Sequence, residues 1–147
     1  MTTKPAMETV GFLLTDASRL MRQAFQRRLE GSNLTLAQAR VLLYVERNET
    51  FRQIELADLL EVKPMNLVRL IDQLVQAGWV ERHPDPLDRR AYQIKLTEAA
   101  QPVLAQIHTV LELLRADMRR GLSEQDYEQL KQTLIQVRDN LLTSRPS

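Results

Sequence analysis

Residues 34–99 read LTLAQARVLLYVERNETFRQIELADLLEVKPMNLVRLIDQLVQAGWVERHPDPLDRRAYQIKLTEA, and this stretch decides the fold. Thr35 and Gln38 have the spacing of a capping box, in which a hydroxyl and an amide each satisfy a free backbone N–H of a helix start. The helix so begun carries Ala39, Leu42, Leu43 and Val45. After the polar break Arg47-Asn48-Glu49-Thr50, the apolar spacing of Ile54 to Leu60 predicts a short helix. Pro64 opens the next one, because a first-turn residue has no use for its missing N–H. That helix turns Leu67, Ile71 and Leu74 to one side and stops at Gly78. Trp79-Val80 and Tyr92-Gln93-Ile94-Lys95-Leu96 read as short strands around an arm from His83 to Arg90, stiffened by Pro84 and Pro86. Leu96-Thr97-Glu98 reads as another helix start with Thr97 as its cap. The pattern predicts a mainly α chain with a small antiparallel β-wing, a winged helix-turn-helix.

Outward from this stretch the chain is helical. From Glu8 to about Glu30, Val10, Leu13, Leu14, Ala17, Leu20, Met21, Ala24, Phe25 and Leu29 fall at helical spacing, and Gly31-Ser32-Asn33 ends the run. A long helix is expected from Thr97 to about Arg120, bent at its start by Pro102, and Gly121 stops it. Ser123 and Asp126 resemble a second capping box, opening a last helix with Tyr127, Leu130, Leu134, Val137 and Leu141. Residues 1–7 are expected to fray and 143–147 to be loose. The apolar stripes of the terminal helices exceed what a winged-helix core needs, and symmetric dimerisation is the commonest cover for such surplus. A monomer packing its own helices is the alternative. The expected division is 33–97 for the winged helix and 1–32 with 98–147 for helical dimerisation.

With 147 residues, 44% of them hydrophobic, the chain can bury the core of one domain. The absence of cysteine excludes disulfides, thiolate catalysis and thiol redox sensing, and fits a reducing compartment. Residues 1–7 lack a secretory pattern and no apolar run approaches a membrane span, so a cytoplasmic protein without membrane association is expected. An enzyme would need a nucleophile with its base, paired carboxylates, a phosphate loop or a metal cluster. Two distant histidines, His83 and His108, and four glycines assemble none of these, so no cofactor, metal or catalytic residue is expected. Both histidines read as surface residues, and Trp79 and Phe25 as core or interface.

The net charge of +1 does not itself point to nucleic acid, so that case rests on where the arginines sit. A helix from Pro64 to Ala77 has the diameter to enter a major groove. With Leu67, Ile71 and Leu74 inward, it leaves Met65, Asn66, Arg69, Gln73 and Gln76 outward or flanking. Arg69 has the fork for a guanine edge, Asn66 can pair with adenine, and Lys63 suits a phosphate. The bland alternative is a solvated helix face. Arg89 and Arg90 lie at the arm's tip, with Asp85 and Asp88 nearby, where an arginine can enter a narrow minor groove. Here the alternative is an exposed ion-pair cluster worth little energetically.

The order and spacing of Leu34-Thr35-x-x-Gln38, Ile54-Glu55-Leu56-Ala57, Leu67-Val68-Arg69-x-x-Asp72-x-Leu74, Gly78-Trp79-Val80-x-Arg82, Asp85-Pro86-x-Asp88-Arg89-Arg90 and Leu96-Thr97-Glu98 resemble the MarR family of bacterial transcriptional regulators, and within it the SlyA group. The resemblance implies a homodimer on double-stranded DNA with a palindromic operator, repression or activation being left open. It implies that Arg90 enters the minor groove with Asp88 as its orienting partner. It also implies a small aromatic acid as effector, for which Phe12, Arg19 and Arg22 are candidate walls, since a guanidinium suits a carboxylate. A solvated face or inter-subunit ion pairs is the competing reading of those three. Three departures stand out. Lys63-Pro64-Met65-Asn66 replaces a start often made with serine and threonine, Ala99-Ala100 replaces a usual glycine, and the cysteine of peroxide-sensing members is missing. A purely protein-binding helical dimer remains a rival; it has no use for the arm arginines.

Overall fold

The computed structural model describes residues 8–144; the expected N-terminal arm and the last three residues lie outside them. The described residues form α1 (Val10–Leu29), α2 (Leu36–Arg47), α3 (Gln53–Leu60), α4 (Pro64–Gln76), β1 (Val80–Pro84), β2 (Tyr92–Leu96), α5 (Ala100–Arg119) and α6 (Glu124–Thr143). This is the predicted winged helix with flanking helices. By packing, the chain divides into one compact unit running to Leu111 and a second from Glu112.

Helix starts follow the local chemistry. Thr35 Oγ1 accepts from the Gln38 N–H at 3.1 Å while Gln38 Oε1 accepts from the Thr35 N–H at 3.0 Å, the complete capping box. Ser123 and Asp126 make the same reciprocal pair at the start of α6, and Pro64 is the first residue of α4. The start of α1 is capped by Thr9, which the sequence reading passed over. Residue 143, expected in a loose tail, is the last of α6, where the Thr143 hydroxyl bonds the Asn140 carbonyl.

Thr97 does something other than cap α5. Its hydroxyl donates to the Gly78 carbonyl and its N–H to the Trp79 carbonyl, so it stitches the exit of the wing to its entrance. A turn over Glu98 and Ala99 then leads into α5 at Ala100. Pro102 therefore lies in the first turn, where its missing N–H breaks no ladder bond and the expected bend loses its cause.

The core of the first unit gathers Leu42, Leu56, Leu67, Ile71, Leu74 and Ile94, all fully buried, with Leu104 and Ile107 of α5. Val41, also fully buried, takes the place expected for Leu43, which is only half-buried. The three apolar residues of α4 contribute about 1.5–3 kcal/mol each on burial, so packing rather than polar contact decides where this helix lies. β1 packs on α4, and β2 on α2 and α3. The wing strands are antiparallel, pairing Val80 with Leu96, Arg82 with Ile94 and Pro84 with Tyr92. His83 and Pro84, expected in the arm, are thus strand residues, and the connecting loop is 85–91. Pro84 is tolerated because it ends its strand.

Candidate nucleic-acid interface

The 3.6-residue period of α4 separates two faces. Leu67, Ile71 and Leu74 are buried, while Lys63, just before the helix, and Met65, Asn66, Arg69 and Gln73 are exposed. Met65 is 72% exposed, a large apolar side chain held in water at the helix start. The turn before α4 runs through Glu61, which adopts the left-handed conformation (φ 56°). There its N–H reaches the Asp58 carbonyl, and the Val62 N–H the Ala57 carbonyl at 3.0 Å, closing the end of α3. The first turn of α4 carries no acidic residue that would repel an anion.

Two polar contacts fix how α4 is presented. Gln73 Oε1 accepts from Gln38 Nε2 at 3.2 Å, joining α4 to the capping box of α2. On the other side Arg82 of β1 holds Asp72 at 2.6 Å, the Val68 carbonyl at 3.3 Å and Gln53 Oε1 at 2.9 Å. Val68 and Asp72 are four apart and share a face, so one guanidinium spans a turn of α4 and reaches α3 as well. Arg82 and Asp72 belonged to the recognised motif, but their pairing was not anticipated.

The wing is organised by Asp85, the one charged residue among the described residues that is buried. Its Oδ1 accepts from the N–H groups of Leu87 (2.8 Å) and Asp88 (3.1 Å). Its Oδ2 accepts from Arg52 Nε (3.0 Å) and Gln93 Nε2 (3.4 Å). The Leu87 N–H foremost, with Arg52 beside it, holds the Asp85 carboxyl below the ordinary aspartate value, against the opposing effect of burial. Arg52 also bridges Gln93 through the backbone, adding an extra edge contact to β2. The sequence reading named Asp85 only as a neighbour of the arginines and passed over Arg52. An Asp followed by Pro in a turn is a local signal for such N–H capture, but the partner 33 residues upstream leaves none.

At the tip, Asp88 Oδ1 accepts from the Arg90 N–H at 3.0 Å, while the Arg90 side chain lies 3.6 Å from it, too long for a hydrogen bond. The Arg90 side chain is 93% exposed, Arg89 is exposed beside it, and Leu87 projects at 89% exposure. Asp88 thus shapes the loop backbone, and the guanidinium is left projecting.

On α1, Phe12, Arg19 and Arg22 are all exposed, with Arg19 in an ion pair to Asp16 at 3.6 Å. They share a face by spacing. In the second unit an open groove of about 1010 Å³ lies between the end of α5 and α6, lined by Met118, Tyr127, Leu130, Leu134 and Ile135 among others. Arg119 stacks over the Tyr127 ring at 4.8 Å there. His108 meets Glu46 at 2.7 Å and His83 meets Glu81 at 2.9 Å. Among the described residues no cluster of His, Asp and Glu could hold a metal ion, and no helix is long and apolar enough to cross a membrane.

Comparison with known proteins matches residues 32–91 to the model of the MarR family. Wild-type apo MarR from E. coli is similar over 88% of this chain and 96% of its own, at 28% identity and a TM-score of 0.75. A mutant E. coli MarR complexed with operator DNA is similar over 92% of this chain and 99% of its own, at 27% identity and a TM-score of 0.72. A MarR transcriptional regulator from Methanosarcina mazei shares the fold, with a TM-score of 0.80 at 20% identity over 92% of this chain and 98% of its own.

Proposed function

We propose that this chain, built on the MarR winged-helix fold, is a transcriptional regulator that binds a palindromic operator as a homodimer. The observation that carries the reading is the joint presentation of two elements. α4 offers Met65, Asn66, Arg69 and Gln73, preceded by Lys63, as an outward face, and the wing holds Arg89 and Arg90 out at its tip. In this reading α4 lies in the major groove, Arg69 and Asn66 meet base edges, Lys63 meets phosphate, and Arg90 enters the adjacent minor groove. The similar E. coli protein complexed with operator DNA supports it. The likeness to the SlyA group rests on the sequence motifs alone.

Dimerisation is supported by what the helices leave uncovered. α6 buries no residue, with Leu130, Leu134, Leu141 and Leu142 exposed, and α1 exposes Val10, Phe12, Leu13 and Leu20. Apolar stripes of this extent mark protein contact surfaces. A two-fold dimer then places two copies of α4 about one turn of DNA apart. Modulation by a small aromatic carboxylate belongs to the same proposal, with Arg19, Arg22 and Phe12 as its candidate contacts; a thermal-shift screen of such acids, none of them stabilising, would count against it.

Fluorescence anisotropy against DNA from the chain's own promoter region, with scrambled DNA as control, tests the main reading. Tight binding that prefers the promoter and weakens steeply with salt is expected, because phosphate contacts release counterions. Equal weak binding to both, insensitive to salt, would overturn it.

A further inference from the structure

Met65 is a large apolar side chain in the middle of a polar face. On a helix of about 3.6 residues per turn, Met65, Arg69 and Gln76 fall on the line opposite the buried Leu67, Ile71 and Leu74. Met65 is exposed far more than Val68 and Val75, the other exposed large apolar residues of α4. Its place is fixed from two sides. Pro64, the residue before it, sets the backbone at the first helical position. Arg82 holds the next turn through the Val68 carbonyl and Asp72. A single exposed apolar residue is ordinary on a protein surface, but this one stands at the centre of the face that α4 offers to a groove.

We propose that Met65 is a specificity residue that packs on the C5-methyl group of a thymine in the major groove. The inference rests on the DNA-binding reading above. A recognition helix meets base edges with residues near its N-terminus, and Met65 is the second residue of α4. Its thioether has no donor and is a weak acceptor, so it does not answer the hydrogen-bonding pattern of guanine, adenine or cytosine. Thymine alone among the four bases carries a methyl group on its major-groove edge. The sugar–phosphate walls stand at the flanks of a helix in the groove, whereas Met65 lies at the middle of its face. Met65 and Arg69 are four apart, which separates their Cβ atoms by about 5–6 Å. Successive base pairs are about 3.4 Å apart, so the thymine falls within about two base pairs of the one Arg69 meets. An unbranched, polarisable side chain suits such a contact, because it can follow the methyl group without strain.

Selection from a randomised duplex library with the full chain first gives the half-site. Each of its thymines is then replaced by uracil, which lacks only the methyl group. Anisotropy gives Kd for the wild type, Met65→Ala and Met65→Leu on each duplex. At one thymine of the half-site the wild type is expected to lose about fourfold per half-site, in line with one methyl group left uncovered. Met65→Ala should bind the thymine and uracil sites alike, and Met65→Leu should keep the preference. Comparing 5-methylcytosine with cytosine at that position separates the methyl group from thymine O4. The wild type should favour the methylated base by a similar factor, and Met65→Ala should not. Neither replacement threatens the fold, because the side chain is exposed. A half-site with no thymine sensitive to loss of its methyl, or a sensitivity that Met65→Ala retains, overturns the assignment. A wild type that enriches no sequence overturns the DNA-binding reading itself, a distinct result.

Discussion

Arg82 on the first wing strand and Asp72 on α4 meet at 2.6 Å, and the same guanidinium holds the Val68 carbonyl and Gln53. Packing sets the position of α4, but this contact couples its rotation to the base of the wing. The two surfaces proposed above to meet neighbouring grooves are thereby held at one relative angle.

The pair itself is expected to add little stability, because Asp72 is more than half exposed and such pairs are worth about 0–1 kcal/mol. Its effect should appear in binding. Asp72→Ala and Arg82→Ala are each expected to lower operator affinity, with the double variant no worse than Arg82→Ala alone. A double-mutant cycle on anisotropy-derived Kd values checks this; additive losses would mean that the two residues act separately.

Asp85 makes the wing sensitive to acid. Its carboxyl is held below the ordinary value, so the charged form is favoured in the folded state. The contribution is complete above the unfolded-state value near 4 and is lost as pH falls through the lower folded-state value. Relative to Asp85→Asn, the wild type should therefore be more stable by a constant margin from about pH 7 to pH 5, and the margin should shrink below about pH 4. Urea midpoints at each pH measure it, and a margin unchanged at pH 3 would place the effect elsewhere than in the charge.

Arg90→Ala should leave the fold intact, since the side chain is almost wholly exposed and such replacements usually stay within about 0.5 kcal/mol. Affinity for the cognate site is expected to fall at least about tenfold, in line with the loss of one inserted base-level contact of about 1–3 kcal/mol. Equal affinity with an unchanged melting temperature would remove Arg90 from the minor groove.

Glu61 occupies a left-handed backbone conformation without glycine's freedom. An L-residue there costs about 1–2 kcal/mol, offset in part by the greater unfolded-state entropy of glycine. Glu61→Gly is therefore expected to stabilise by about 0.5–1 kcal/mol, a rise of about 1–4 °C in Tm for a chain of this size. A scanning calorimetry trace showing a lower Tm would mean that the Glu61 side chain contributes something its exposure does not suggest.

The uncovered leucines of α6 predict an assembly that one charge can disrupt. Leu134→Glu is expected to shift the protein from dimer to monomer by light scattering. Operator affinity should drop by about 10²–10⁴, as expected when two linked half-site contacts become one. A variant that stays dimeric would move the interface off this face.

Much of the fold was legible because its signals are local. Thr35 with Gln38, Ser123 with Asp126 and Pro64 each announce a helix start within four residues, and the periodicity of Leu67, Ile71 and Leu74 separates the faces of α4. What was missed depends on distance in sequence. Arg52 reaches Asp85 across 33 positions and Gln38 reaches Gln73 across 35. Thr97 is an instructive error: a threonine before Glu98 looks like a cap, but the carbonyl of Gly78 lies close enough to take its hydroxyl. The exposed arginines of the wing could be placed at its tip from sequence, whereas the burial of Asp85 against Arg52 could not.

That closure of the wing has a consequence for how such a protein can diversify. Because Thr97 ties back to Gly78 and Trp79, the segment between them enters and leaves the helical body at nearly one point. It behaves as a cassette. Changes at the tip, within 86–91, need not propagate strain into α4 or α5, provided that Arg82, Asp85, the buried Val80 and Ile94 and the stitch are retained. The residues at the tip can therefore vary while α4 and its presentation stay the same.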